Sequence, residues 1–271
     1  MTTLISWISF DHRKFAAAYV ASDSRITWDV AGKKRWDAGR KVFPSKRFPD
    51  VFGYAGDVLF PALALSQIVE AIDAGAMFAP DATPWQRHET IFSALQDSFQ
   101  RRHQAVDSDF SILHLARSDQ DGGPSVHAWC IEYNVGSQKW LDRILHVPSS
   151  TGVIARLGSG ADAARDYDWR WNRDEPLSRA IFSSFYDAIA SGEDALSGGA
   201  PQLAGFYPQK AARPFVVQFD NEIFLNGLPL KQLPDGAQLE ARDRLFHRID
   251  PSTGKLVVGA QVHARPKHSE P

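Results

Sequence analysis

An α+β fold, with β-sheets covered on the outside by helices, is predicted by the way two periodicities alternate along the 271 residues. Short β-branched and aromatic runs come first, then two segments with apolar residues at helical spacing, then runs of period two, a second helical pair and closing strands. An apolar content of 44% is enough to bury a full core.

Thr2 to Ser9 and Phe15 to Ser22 read as strands separated by the polar cluster Asp11-His12-Arg13-Lys14, a hairpin signal. A turn centred on His12 and Arg13 pairs residues whose numbers sum to about 25, which sets Thr2 across from Asp23 and Thr3 across from Ser22. Trp28 to Gly39 is charged and irregular, and RKVFPS and DVFGYAGDVLF follow as two more strands. PALALSQIVEAIDAGAM has helical period, with Pro61 near its first turn and Gly75 at its end. The next helix runs from about Trp85 to His103, with Thr83 as candidate N-cap. FSILHLAR, SVHAWCIEYN and KWLDRILHVP are three consecutive strands joined by polar turns, the first turn containing Asp121-Gly122-Gly123. GVIARLGSGADAARDY reads as a strand, a glycine-flanked serine and a helix start, and a further helix spans about Pro176 to Ala190. SGEDALSGGAPQL then turns the chain into the closing strands FVVQF and EIFLNG. Beyond about Leu228 the pattern loses regularity, and the final ARPKHSEP reads as frayed.

Composition removes several function classes. The formal charge is -2, which gives no reason to expect nucleic-acid or membrane partners, and Lys33-Lys34-Arg35 reads as a solvated loop. Cys130 is the only cysteine, so disulfide frameworks and cysteine zinc sites are excluded, and its place in an alternating run marks it as a packing residue. No apolar stretch spans a bilayer and no signal peptide is visible, so a cytoplasmic protein is expected. His114 and His127 lack metal-ligand spacing and read as structural; no metal and no cofactor is expected. LGSG and SGG lack the spacing of a phosphate loop. Trp169 and Trp171 fit a ligand or subunit contact and a satellite apolar cluster equally well.

The chemistry concentrates at the beginning of the chain. Methionine aminopeptidases remove Met before a small residue, and removal of Met1 leaves Thr2 with a hydroxyl and a free amine on one α-carbon. The first is a nucleophile and the second, with a reference pKa near neutrality, a general base. Such a pair also needs a cation to keep the amine unprotonated, a carboxylate to hold that cation, and N–H donors for an oxyanion.

Five blocks, TTLISWIS with AYVASDSRIT, then RKVF, FGYAGD, LGSG and EDALSGG, occur in the order and at the spacings of one family. From Thr2 to about Leu203 the chain resembles the catalytic β-type subunits of the proteasome and the related bacterial peptidase subunit that works with an unfoldase ring, both N-terminal nucleophile hydrolases. The resemblance implies a four-layer αββα sandwich with two central, mainly antiparallel sheets over residues 2–228, followed by a C-terminal extension over 229–271. It implies Thr2 as nucleophile, Lys41 as the buried cation beside it and Asp23 as the carboxylate holding Lys41. Gly56 takes the position of the oxyanion glycine, Tyr54 a place in the wall of the substrate pocket, and Thr27 a contact to substrate backbone. Ser159, Asp194 and Ser197 take the positions of the cluster that orients the N-terminal amine. A peptide or unfolded-protein substrate, a homo-oligomeric ring and an ATPase unfoldase or other accessory partner are implied with them.

The chain also departs from its relatives. The first hairpin is longer, its turn is DHRK rather than a tight glycine turn, and Asp57 follows Gly56 where many active members carry glycine. A carboxylate there opposes an oxyanion if it points inward, and we expect it to point away. Two alternatives share the fold: a small-molecule amide hydrolase using the same nucleophile, and a non-catalytic scaffold.

Overall fold

The computed structural model describes residues 2–12, 14–29, 31–103, 108–119, 123–171, 177–234, 236–262 and 264. Met1, the Asp121-Gly122 part of one turn, Pro176 and the last residues from Arg265 to Pro271 lie outside them. The described chain is mixed α and β, with antiparallel sheets and four helices.

The opening strands are β1 (Leu4–Asp11) and β2 (Lys14–Ser22). Near the turn their pairs sum to 25, as in Phe10↔Phe15 and Asp11↔Lys14, but beyond an irregularity at Ser9/Phe10 they sum to 26, as in Leu4↔Ser22. Ala16 is the extra residue, and this bulge moves the register by one. Thr3 rather than Thr2 therefore comes opposite Asp23, whose N–H donates to the Thr3 carbonyl at 3.1 Å. This corrects the register expected from turn chemistry alone.

Two short strands pair here, β3 (Ile26–Thr27) just before the stretch read as irregular and β4 (Arg35–Trp36) inside it. A five-stranded antiparallel meander follows: β5 (Val42–Pro44), β6 (Asp50–Gly56), β7 (Phe110–Ser118), β8 (Ser125–Asn134) and β9 (Lys139–Ile144). Between β6 and β7 stand α1 (Leu59–Asp73) and α2 (Pro84–Gln100). The α2 start is as read from the sequence: Thr83 accepts from the Gln86 N–H while the Gln86 side chain accepts from the Thr83 N–H, a complete capping box.

The remaining elements are β10 (Gly152–Leu157), α3 (Ala161–Trp171), α4 (Ser178–Ser191), β11 (Gln202–Phe206), β12 (Arg213–Phe219) and β13 (Glu222–Leu225), with the short β14 (Leu228–Leu230), β15 (Ala241–Arg242) and β16 (Arg248–Ile249). The nine-stranded sheet has the order β10-β1-β2-β11-β12-β13-β14, with β15 joined in parallel to β12 and β16 to β15. β11 was not read as a strand, because all five of its residues are buried and period-two alternation is absent. The chain after Leu228 adds β14 to β13 and β15 to β12, so much of it is tied to this sheet.

Apolar clusters show how the elements pack. Leu65, Ile72, Ile91 and Leu95 of α1 and α2 meet Phe52, Tyr54, Ile112 and Ile131 of the five-stranded sheet. The opposite face of that sheet, with Val51, Leu113 and Leu115, meets Leu4, Val20 and Ala204 of the nine-stranded sheet. Ile5, Trp7 and Tyr19 leave the other side of β1 and β2 and pack on Ile181, Phe182 and Phe185 of α4. Alternation along strands buried on both faces thus joins helices to sheet and sheet to sheet.

One polar network lies inside this packing. His114 Nε2 is 2.9 Å from Asp50 Oδ1 and its Nδ1 is 3.0 Å from His88 Nδ1, while His88 Nε2 is 3.0 Å from Asp142 Oδ2. Arg87 closes the network on Asp50 at 2.9 Å. Burial, reinforced by the facing His114, pushes His88 down to about 4, and burial also holds His114 below its ordinary 6.5. Both rings are therefore neutral in the folded chain at pH 7. The unfolded chain takes up these protons near 6.5, so stability is intact above that pH and falls as pH drops toward 4. Unfolding free energies from urea titrations between pH 7 and about 5, above most carboxylate titrations, should fall with a slope approaching about 1.4 kcal/mol per pH unit for each extra proton bound by the unfolded chain. A flat profile would contradict this assignment.

Candidate active site around the N-terminal strand

Asp23 follows β2 directly and Lys41 precedes β5, so two different sheets deliver them. They meet: Lys41 Nζ lies 2.7 Å from Asp23 Oδ1, and both side chains are 0% exposed. Asp23 also accepts three backbone hydrogen bonds of 3.0 Å, from Thr3 N–H on Oδ1 and from the Arg25 and Gly198 N–H groups on Oδ2. A buried carboxylate is affordable only with such partners. Burial holds the Lys41 ammonium below its ordinary value, while the Asp23 charge opposes that shift.

The second group also converges. Thr3 Oγ1 donates to Ser197 Oγ at 2.7 Å, Ser197 Oγ donates to Asp194 Oδ2 at 2.7 Å, and Ser159 Oγ donates to Asp194 Oδ2 at 3.0 Å. The three residues expected to orient the N-terminal amine are together, and the hydroxyl they hold is that of Thr3. Thr2 is fully buried, its carbonyl accepts from the Gly160 N–H at 3.4 Å, and Gly158 lies so close that a Cβ there would stand 1.9 Å from the Thr2 oxygen.

Gly56 has φ +95°, and a Cβ on it would lie 2.3 Å from the Asp109 carbonyl oxygen, so glycine is required. Together with Gly158, Ala55, Asp109 and Glu132 it lines a cavity of about 370 Å³. Asp57 points away as expected: its carboxylate accepts from the Phe60 N–H at 3.2 Å, in the first turn of α1. Tyr54 departs from its expected place. Alternation along β6 sends Phe52 and Tyr54 into the core beneath α1 and α2, and the Tyr54 hydroxyl donates to the Arg40 carbonyl at 3.2 Å. Ala55, not Tyr54, lines the cavity beside Gly56. Thr27, on β3, carries a buried hydroxyl oxygen with no hydrogen-bond partner among the described residues.

Three contributors were not read from the sequence. Gln202 accepts from the Lys41 N–H at 2.9 Å and donates through Nε2 to the carbonyls of Asp23 and Gly39, binding both loops to β11. Arg25 grips Asp37 with two hydrogen bonds of 2.7 and 2.9 Å and donates to the carbonyls of Ala195 and Ser197 at 3.1 Å each. Gly158 gives way to the Thr2 backbone. Arg25 and Gly158 lie within the AYVASDSRIT and LGSG blocks, and the local signal at Gln202 is an amide side chain at the head of an apolar run.

Other candidates fall away from chemistry. Burial and the nearby Glu132 charge push the Cys130 thiol up to about 11, so it is not a thiolate near neutrality. Trp171 is buried and donates to Asp187 at 3.1 Å, whereas Trp169 is exposed. Among the described residues no group of three or more His, Cys, Asp or Glu side chains could hold a metal ion, and no helix is long and apolar enough to cross a membrane. No model of a known protein family matches the chain, and no curated protein matches it.

Proposed function

We propose that this chain is a threonine-type amide hydrolase of the N-terminal nucleophile class, acting on peptide bonds through Thr2 after loss of Met1. The observation that carries the reading is the fully buried Asp23–Lys41 pair, whose carboxylate also holds the amide of Thr3, the residue next to the nucleophile. The convergence of Ser159, Asp194 and Ser197 on the same strand end adds to it. Two sheets sharing a core, with helices packed on their outer faces, fit the four-layer αββα sandwich of the class.

In this mechanism the Thr2 hydroxyl attacks the scissile carbonyl while its proton passes to the Thr2 amine. The Lys41 charge favours the unprotonated amine and the developing alkoxide. The Gly56 backbone faces the oxyanion, the leaving amine takes the proton, and an ester on Thr2 remains. Water activated by the amine then releases the acid and restores the hydroxyl. Thr27 supplies an unused hydroxyl for substrate backbone. A ring of identical subunits belongs to the same proposal, and a strictly monomeric protein in solution would argue against that part alone.

Intact mass should show a chain lacking Met1. A peptide epoxyketone should then add its full mass once, the hydroxyl bonding the ketone carbon and the amine opening the epoxide. Thr2→Ala should abolish the adduct, whereas Thr3→Ala should retain it at Thr2. Retained Met1, or an adduct that survives Thr2→Ala, sinks the proposal.

A further inference from the structure

A second cleft, sharing no residue with the cavity at Gly56 and Gly158, opens between the turn after β11 and the strands β12, β15 and β16. Its volume is about 630 Å³, and Tyr207, Lys210, Arg213, Glu240, Arg242 and Arg248 line it. Four cations thus face one carboxylate in a chain whose formal net charge is -2.

Glu240 is already committed. It accepts from Arg242 Nη2 at 2.5 Å and from the Tyr207 hydroxyl at 2.7 Å, with Arg248 Nε at 3.6 Å and Arg213 Nη1 at 3.7 Å. One negative charge cannot balance three guanidiniums and the Lys210 ammonium. Arg242 is 5% exposed, and its Nε and Nη1 have no hydrogen-bond acceptor among the described residues. The Phe246 ring, 4.9 Å from its guanidinium carbon, offers a π face but no countercharge. Arg248 and Arg213 remain accessible, with side chains 59% and 32% exposed. The Lys210 side of the cleft is held in place by Arg117, which donates to the Lys210 carbonyl at 2.8 Å and to that of Tyr207.

We infer that this cleft binds a dianionic phosphate group, either free phosphate or the phosphate of a small phosphomonoester. Guanidinium groups meet phosphate oxygens through paired, charge-assisted hydrogen bonds, and a dianion offsets the excess charge better than a carboxylate. The volume exceeds that of the ion, which leaves room for an organic part.

Isothermal titration of the full chain at constant ionic strength, with inorganic phosphate and with a nucleoside monophosphate as separate probes, tests the inference. Saturable one-to-one binding is expected, weakened at least tenfold by Arg248→Glu and by Lys210→Glu. Lys139→Glu, on exposed β9, should leave it unchanged. Tighter binding of the ester identifies the phosphomonoester as the ligand, and equal binding identifies the free ion. Absence of saturable binding for both probes overturns the inference. So does binding that survives both cleft substitutions, or that Lys139→Glu weakens equally. The readout does not depend on hydrolase activity, so this inference and the proposed function fail separately.

Discussion

Lys41→Met is expected to lose covalent labelling of Thr2 by at least a hundredfold and to destabilise the fold by roughly 3–5 kcal/mol. The two losses have separate causes. Stability falls because Asp23 stays fully buried with its charge and loses the ammonium at 2.7 Å, keeping only the N–H groups of Thr3, Arg25 and Gly198. On the proposed mechanism, reactivity falls because the Lys41 charge that favours the unprotonated Thr2 amine is gone. The pKa of that amine rises, and any residual labelling should shift its pH dependence to higher pH. Combining Asp23→Asn with Lys41→Met separates the effects. The pair is then neutral, so stability measured by urea unfolding should recover in part while labelling does not. Labelling of Lys41→Met within twofold of the parent rate would remove Lys41 from the mechanism.

Gly158→Ala should cost about 3 kcal/mol and reduce labelling more than tenfold. Part of the cost is conformational, since φ +91° is a backbone state that side chains with a Cβ rarely adopt. The larger part is contact. The new methyl would stand 1.9 Å from the Thr2 carbonyl oxygen and 2.7 Å from its carbon, both backbone atoms, so the N-terminal strand itself must move. Gly123→Ala is the control, because Gly123 also has positive φ, +102°, yet nothing lies within 4 Å of its Cβ position. It should show the conformational cost alone, about 1 kcal/mol, with labelling unchanged. Equal effects of the two substitutions on stability and labelling would refute the role given to the Gly158 contact.

The features legible in the sequence are those set by neighbours along the chain. The N-cap at Thr83 is set within a single turn of chain, and α2 begins directly after it at Pro84; its partner Gln86 emerged only in the structure. The first hairpin was legible for the same reason, yet its register was not, because the bulge at Ala16 answers to pairing along the whole strand. β11 was missed because burial on both faces erased the alternation that marks a half-buried strand. At the candidate site, Asp23, Lys41, Ser159, Asp194 and Ser197 stood out through family resemblance; Arg25 and Gly158 lie inside the same blocks but were given no role, and Gln202 lies outside them.

Sequence by itself therefore determined most of the elements and their order and, through the family resemblance, the choice of Thr2, Asp23 and Lys41 as candidates. Tertiary structure alone decided that Thr3, one residue along, donates hydrogen bonds to Asp23 and Ser197, and that Tyr54 turns into the core beneath α1 and α2. The physical reason is range. Capping and periodicity are local properties of the chain, but a one-residue bulge or the face a strand presents is settled by the packing of two sheets and their helices, in which every contact depends on residues far away in sequence.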